Sequence, residues 1–263
     1  MKSPDTDIFF LLLHYAEQLH GTTILFDTGK GNQKRLIDMS SLAQAFTQQH
    51  CTALLACHAF TGCDTTSAFK GKGKVRPIQL MQKNPSFIEA FASLGDSWQV
   101  PEHLLVNLEE FTCLVYNRKS VKAVDELRYI LLKEKCGDEE MNPKLNVDLS
   151  TLPPCRRSPT QHVRRVNYQV AIWKRAHDPH PALPNAAEGH GWEQKEGYLQ
   201  PLWTADEDEL ILPDSVVKDL QQEQMDTDEE VDPEVEDLDT FFSNIEAEDD
   251  FDFDWDDYSY EDC

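Results

Sequence analysis

After Lys218 the chain has no lysine and no arginine. From Asp219 to Cys263 it carries 21 Asp and Glu, so the tail holds −21 of the net charge of −24 and leaves residues 1–218 at −3. Acidity is therefore not a property of the whole chain, and it does not exclude contact between the near-neutral body and nucleic acid. Paired cysteines are missing too. Cysteines 51, 57, 63, 113, 136, 155 and 263 form no Cys-x-x-Cys, which removes the spacing of ribbon and finger zinc sites. The number is odd and no basic, apolar leader precedes them. This reads as an intracellular protein, nuclear or cytoplasmic, with reduced thiols. Long apolar runs are also absent. "DIFFLLLHYA" is too short to span a bilayer and follows acidic residues, so no membrane partner is expected. Internal repeats are absent.

What is present divides into helices, one hairpin and connectors. Asp5 or Thr6 is placed to cap a helix running to about Leu19. "TTILFDT" and "KRLIDM", separated by Gly29–Asn32, predict a hairpin. Ser40 and Ser41 can cap "LAQAF", and "TALLACHAF" reads as a buried helix ending near Gly62. Ile78, Leu80, Met81, Phe87, Ile88, Phe91 and Leu94 recur at helical spacing with a break at Pro85. Pro101 opens a further helix, and Ser120 is placed to cap the next, which closes near Gly137. Residues 138–160 read as a Pro-rich connector. "QHVRRVNYQVAIWKRA" is helical, with Val163, Val166, Val170 and Trp173 on one face. Residues 177–215, with Trp192 and Trp203, predict an irregular strap. The tail from Asp219 is acidic and of low complexity, hence expected to be disordered.

Two stretches carry chemistry. "SPDTD" places Asp5 and Asp7 at a helix start, and "HAFTGCDTTSAFKGKGK" places Asp64 in a turn after a buried helix. Carboxylates at such ends suit Mg²⁺ or Mn²⁺, which prefer oxygen ligands, and two such ions can drive phosphodiester cleavage. Helix capping and turn formation are the alternative roles. The loop from Lys70 to Arg76 combines Gly71 and Gly73 with Lys70, Lys72, Lys74 and Arg76. Glycines let a phosphate backbone approach and lysines add charge, with the lysines expected to be solvated. A plain solvated turn is the alternative.

In this order the motifs resemble the flap-endonuclease branch of the PIN-like nucleases. They resemble more closely a group of proteins encoded by mobile elements in animal genomes, which share "SPDTD", "HAFTGCDTTSAFKGKGK", an "LPPC" connector at Leu152–Cys155 and "GHGW" at Gly189–Trp192. The resemblance covers roughly residues 1–215. It implies an α/β fold: a partial PIN-like domain with a helical extension over residues 1–137, a connector, helix and strap over 138–218, and a disordered acidic tail over 219–263. It implies metal roles for Asp5, Asp7 and Asp64 and phosphate contacts for Lys70, Gly71, Lys72, Gly73, Lys74 and Arg76. The nuclease family also has an aspartate on its first strand and a glutamate-rich helix ahead of the Asp-x-Asp. Met1 stands four residues before Asp5, so the resemblance implies an N-terminally truncated domain with an incomplete carboxylate set, weak or lost Mg or Mn, and no independent nuclease activity. Completed by further N-terminal residues or a partner, it would be a metal-dependent endonuclease. The relatives' cysteine-rich, zinc-binding tail is replaced by acid.

Other groupings weigh less. His50, Cys51, Cys57, His58 and Cys63 match no familiar zinc spacing, so no zinc is expected; Cys57 and His58 read as core residues. A Cys–His hydrolase lacks a third, orienting group. His190 reads as structural, with Trp192 anchoring the strap. Arg156, Arg157, Arg164, Arg165, Lys174 and Arg175 form a second basic region, either a solvated helix face or a phosphate contact. The tail's "EAEDDFDFDWDDYSYEDC" keeps aromatics solvated among acids. It suits docking on a basic, apolar-grooved protein, cover over the protein's own basic surface, or mere solubility. DNA or RNA backbone is the expected partner of the body.

Overall fold

A computed structural model describes residues 1–204, apart from His20, Lys30, 137–148 and Arg156, together with Val216. The chain divides after Ile211, and all elements named below belong to Met1–Ile211. The acidic tail from Asp219 lies outside the described residues, as does the 138–148 part of the expected connector.

The fold mixes helices with two small antiparallel sheets among the described residues. Asp5 caps α1 (Thr6–Tyr15), its carboxylate accepting the Asp7 N–H at 2.8 Å. Strands β1 (Leu25–Thr28) and β2 (Arg35–Asp38) pair as the expected hairpin, with Phe26 opposite Ile37 and Asp27 opposite Leu36. On its other side β1 meets the first residues: Lys2 bridges Asp27 in parallel, the Asp27 N–H donating to Met1 O at 2.8 Å and Ser3 N–H to Asp27 O at 3.1 Å. Residues 1–3 and β1, on either side of α1 in the chain, thus meet in a single parallel bridge. The expected α/β character is reached only in this reduced form.

Helix α2 (Met39–Gln44) is capped by Asp38, which takes the Ser40 and Ser41 N–H groups, and not by either serine. Helix α3 (Gln48–Phe60) starts at its cap Thr47 and is buried without interruption from Cys51 to Phe60. Short helices α4 (Val75–Gln82) and α5 (Pro85–Ser93) follow, the second capped by Asn84 with Pro85 in its first turn. Helix α6 (Glu102–Val115) begins after Pro101. Helix α7 (Val124–Cys136) starts four residues past the expected Ser120, because the Glu109 carboxylate of α6 accepts the Val124 N–H at 3.0 Å. Helix α8 (Arg157–Lys174) begins inside the segment expected as connector, with Pro159 tolerated in its first turn. Val163, Val166, Val170 and Trp173 are all buried on its inner face, as its spacing predicts.

The expected irregular strap is in part a second hairpin, β3 (Trp192–Lys195) and β4 (Tyr198–Pro201). Its turn residues, Glu196 and Gly197, both have positive φ, the signature of a tight two-residue turn. Gly191 is required ahead of it. A Cβ there would lie 2.3 Å from the Gln161 carbonyl, so the "GHGW" backbone rests directly on α8. No helix among the described residues is long and apolar enough to cross a membrane.

The core gathers around α3, which packs against α1, α4, α5 and α8. Phe60, Phe91 and Phe111 meet edge to face at 4.9–5.8 Å. Two buried histidines tie neighbouring helices to α3. The Thr52 hydroxyl donates to Gln48 O at 2.9 Å and so accepts from His14 Nδ1 at 3.1 Å. His162 donates through Nε2 to Phe60 O at 2.8 Å.

Burial lowers the pKa of both imidazoles from 6.5 to about 4, with Lys174 adding to the effect at His14 and Arg165 at His162. The sign follows directly. Between pH 4 and 6.5 the unfolded chain binds more protons, so stability is complete above about 6.5 and is lost as pH falls toward 4. By pH 5 each buried histidine costs on the order of 2 kcal/mol. The urea midpoint should therefore drop between pH 7 and pH 5. A flat midpoint over that range would contradict buried neutral imidazoles.

Candidate functional site

The site is built where α1, α3 and α4 meet. Asp7 lies in the first turn of α1 and reaches α3, placing Oδ1 2.7 Å from His58 Nε2. The His58 side chain is fully buried while that of Asp7 keeps 16% exposure. The imidazole lies between two rings, Phe10 at 4.4 Å and Trp173 at 6.1 Å, both nearly parallel to it. Its other nitrogen, Nδ1, is 2.8 Å from the Lys74 ammonium. Lys74 also donates to Gly62 O and lies 3.5 Å from His58 O.

The proton positions follow from donor chemistry. An ammonium only donates, so Nδ1 must accept and Nε2 must carry the hydrogen given to Asp7. His58 is therefore neutral. Its pKa is lowered by burial first and by Lys74, against the opposing pull of Asp7. Burial likewise lowers the pKa of Lys74. Asp7, His58 and Lys74 form one relay, and it joins the "SPDTD" motif to the Lys-Gly loop.

The remaining carboxylates stand elsewhere. Asp5 is exposed and committed as the α1 cap. Asp64 is exposed at the tip of a tight turn closed by reciprocal Cys63–Thr66 backbone bonds, and Thr65 Oγ1 ties this turn to Gln169 of α8 at 2.8 Å. Among the described residues no three His, Cys, Asp or Glu side chains gather as a metal-holding group. Asp5, Asp7 and Asp64 are thus not brought together as an Mg or Mn site in this conformation, and one Asp7 oxygen is held by His58. The thiol of Cys57, the residue before His58 on α3, is pushed up to about 12 by burial and stays protonated.

The Lys-Gly loop divides by burial. Phe69 anchors its start against Phe60 at 5.3 Å. Lys70 is exposed and its ammonium reaches Ser150 Oγ. Gly71 has φ +71°, and at neither Gly71 nor Gly73 would a Cβ meet any atom within 4 Å. Lys72 lies 4.6 Å over the Tyr116 ring. Burial lowers the pKa of Lys72, with Arg76 second, and that of Arg76. Against the expectation of solvated lysines, Lys72 is half-buried on Tyr116 and Lys74 departs further. It turns inward because the end of α3 offers it a carbonyl and an imidazole nitrogen, and it cannot also face a phosphate.

The second basic region is corrected in the same way. Arg165 is 1% exposed, not solvated: its Nη1 donates to Gly191 O at 2.9 Å and Leu202 O at 2.7 Å, and Trp203 covers it at 5.2 Å. Lys174 bonds Ala92 O and Asp96, while Arg175 bonds Gly95 O and stacks on Trp98. These are struts of the fold. Arg156 lies outside the described residues.

The loop lysines should separate in a stability assay. Lys74→Met leaves His58 Nδ1 and Gly62 O without a donor inside the protein and should cost about 2–3 kcal/mol. Lys70→Gln and Lys72→Gln should each cost less than about 1 kcal/mol. Urea unfolding of the three variants measures this, and equal costs would refute the inward assignment of Lys74.

Comparison with protein-family models, with curated proteins and with solved structures gives no match to this chain.

Proposed function

We propose that this chain is a PIN-like domain of the flap-endonuclease type, derived from a mobile element. In this reading it grips the phosphate backbone of DNA or RNA weakly and does not cut it unaided. The observation that carries the proposal is the open Gly-x-Gly loop running straight into α4. No side chain caps α4, whose N-cap residue is Lys74. The first N–H groups of a helix have no intrahelical acceptor, and they carry the positive end of its dipole. Pro77 has no N–H to offer, so Val75 and Arg76 supply these donors. With open backbone at Gly71 and Gly73 and charge from Lys70, Lys72 and Arg76, the segment suits a bridging phosphate.

Cleavage would require divalent ions held by several carboxylates, and among the described residues no three His, Cys, Asp or Glu side chains gather as a metal-holding group. With Mg²⁺ or Mn²⁺ the protein should leave flap, hairpin and single-stranded DNA intact. Cleavage that vanishes in Asp64→Ala would overturn that part of the proposal. Binding is tested by titrating DNA at several salt concentrations. Lys70→Gln and Lys72→Gln should each lower the salt slope by nearly one (~0.9 per phosphate contact). An unchanged slope in the double variant would reduce the loop to a solvated turn.

The tail bears on the same measurement. Its 21 acidic residues repel phosphate. Removing residues 219–263 should tighten DNA binding at low salt and matter little at high salt. Equal affinities at low salt would separate the tail from binding altogether.

A further inference from the structure

The relay from Asp7 through His58 to Lys74 joins a carboxylate that the family resemblance assigns to metal with a lysine that it assigns to phosphate. Its geometry points to a different use of both. We propose that the Lys74 ammonium, acting through His58, supplies the positive charge that a divalent ion would otherwise bring to Asp7. The Lys-Gly loop is then locked to α1 and α3 without metal, and its hold on a phosphate backbone does not depend on divalent ions. This rests on the reading of the loop as a backbone grip, and it deepens that reading.

Three observations carry it. First, the partners are in sequence along one line of hydrogen bonds. Asp7 Oδ1 accepts from His58 Nε2 at 2.7 Å, and Nδ1 accepts from Lys74 at 2.8 Å. A neutral imidazole that receives a bond from a cation becomes a stronger donor on its far side, so the charge of Lys74 is felt at Asp7. Second, the bridge cannot turn aside. The His58 side chain is fully buried, and the rings of Phe10 and Trp173 hold its plane. Within that plane both nitrogens already have partners. Third, the far end of the relay is mechanically placed. Lys74 is the N-cap residue of α4 and also holds Gly62 O at the end of α3. A change at Asp7 therefore acts on the point where the loop enters its helix.

Metal fits poorly beside this arrangement. An ion taking both Asp7 oxygens would strip the fully buried His58 Nε2 of the acceptor it has. It would also face the ammonium's charge across one ring. Asp5, Asp7 and Asp64 do not gather as a metal-holding group of three to offset that repulsion, and the Asp5 carboxylate is engaged by the Asp7 N–H. Asp7 is thus a positioning residue for the loop, and so are His58 and Lys74. Lys70, Lys72 and Arg76 remain the contacting side chains.

The experiment uses the full chain. A thermal melt in EDTA and in Mn²⁺ should give the same midpoint. Nitrogen-15 spectra of the imidazoles should show His58 as a neutral Nε2–H form, as His162 also is, and Asp7→Asn and Lys74→Met should each shift the His58 signal and leave that of His162 in place, although neither Asp7 nor Lys74 bonds the other. Stabilities of Asp7→Asn, Lys74→Met and the double variant should be non-additive, the double being little worse than the worse single. DNA affinity should be the same in EDTA and in Mn²⁺. A midpoint raised by Mn²⁺ in the unchanged protein and not in Asp7→Asn would overturn the proposal, as would strict additivity. Where a variant fails to fold, the melt and the imidazole spectrum of the unchanged chain still decide the relay. The tests without DNA keep the two readings apart. Absence of DNA binding in both buffers overturns the grip and its independence of divalent ions together, while the melt and spectrum judge the relay alone.

Discussion

Helix α3 has no face toward water. From Cys51 to Phe60 every residue is buried, so each polar atom on that stretch must be met by protein. This one constraint selects much of the surrounding structure. His14 of α1 comes to Thr52, and His162 of α8 comes to the carbonyl of Phe60. Thr66 folds back to Ala59 O and fixes the turn that carries Asp64. His58 makes the heaviest demand, with two ring nitrogens to satisfy at full burial. It draws in Asp7 on one side and Lys74 on the other. The candidate site is thus a consequence of how the central helix is enclosed.

Helix α8 plays the complementary part. Its buried polar side chains do not serve its own backbone; they hold distant segments. Asn167 accepts the Gly95 N–H and donates to Ser97 O and Trp98 O, closing the turn after α5. Arg165 binds the carbonyls of Gly191 and Leu202 and so pins both ends of the β3–β4 hairpin, while its Nε and Nη2 have no partner among the described residues. Burying a guanidinium beside carbonyls and indole rings alone is costly. What offsets the cost is packing: the side chain lies against the Gly191 backbone, where even a methyl group would collide. The hairpin therefore depends on one arginine and one glycine that are distant in sequence.

Legibility in the sequence follows the range of the interactions. Local signals were readable. Asp5 caps α1 within three residues, the β1–β2 hairpin shows in its alternation, and the inner face of α8 shows in its valines. Where the sequence reading went astray, a nonlocal partner or an unusual turn decided. Val124 is the first residue of α7 because Glu109 arrives from another helix to accept its N–H, which no pattern around Ser120 could reveal. Asp38 outcompetes Ser40 and Ser41 as a cap from inside a strand pattern. The β3–β4 turn uses Glu-Gly, with a glutamate at positive φ, where Asn-Gly or Asp-Gly would have announced it. Arg165 and Lys74 look like surface cations by type, and their burial comes from carbonyls supplied by segments 12 to 37 residues away. The carboxylates were identified by motif, but motif order does not fix whether three side chains converge.

On the proposed reading as a phosphate grip, the Lys-Gly loop must satisfy two conflicting requirements. Its backbone must be open, which favours glycine, and it must be ordered before the ligand arrives, which glycine opposes. Alternation of lysine and glycine from Lys70 to Lys74 supplies openness but no order of its own. Order is imposed from both ends. Phe69 is sunk among Phe60, Tyr116 and His162, and its carbonyl takes the Lys72 N–H at 3.0 Å. At the other end Lys74 is drawn beneath the loop to His58 and Gly62. One cation of the basic set is thereby withdrawn from the surface. The same withdrawal fixes the direction in which α4 begins, and with it the direction of the first N–H groups of that helix. A fourth outward cation would add charge to a loop with one free end. The inward one presents no charge to the surface, yet it determines where the side chains of Lys70, Lys72 and Arg76 are presented.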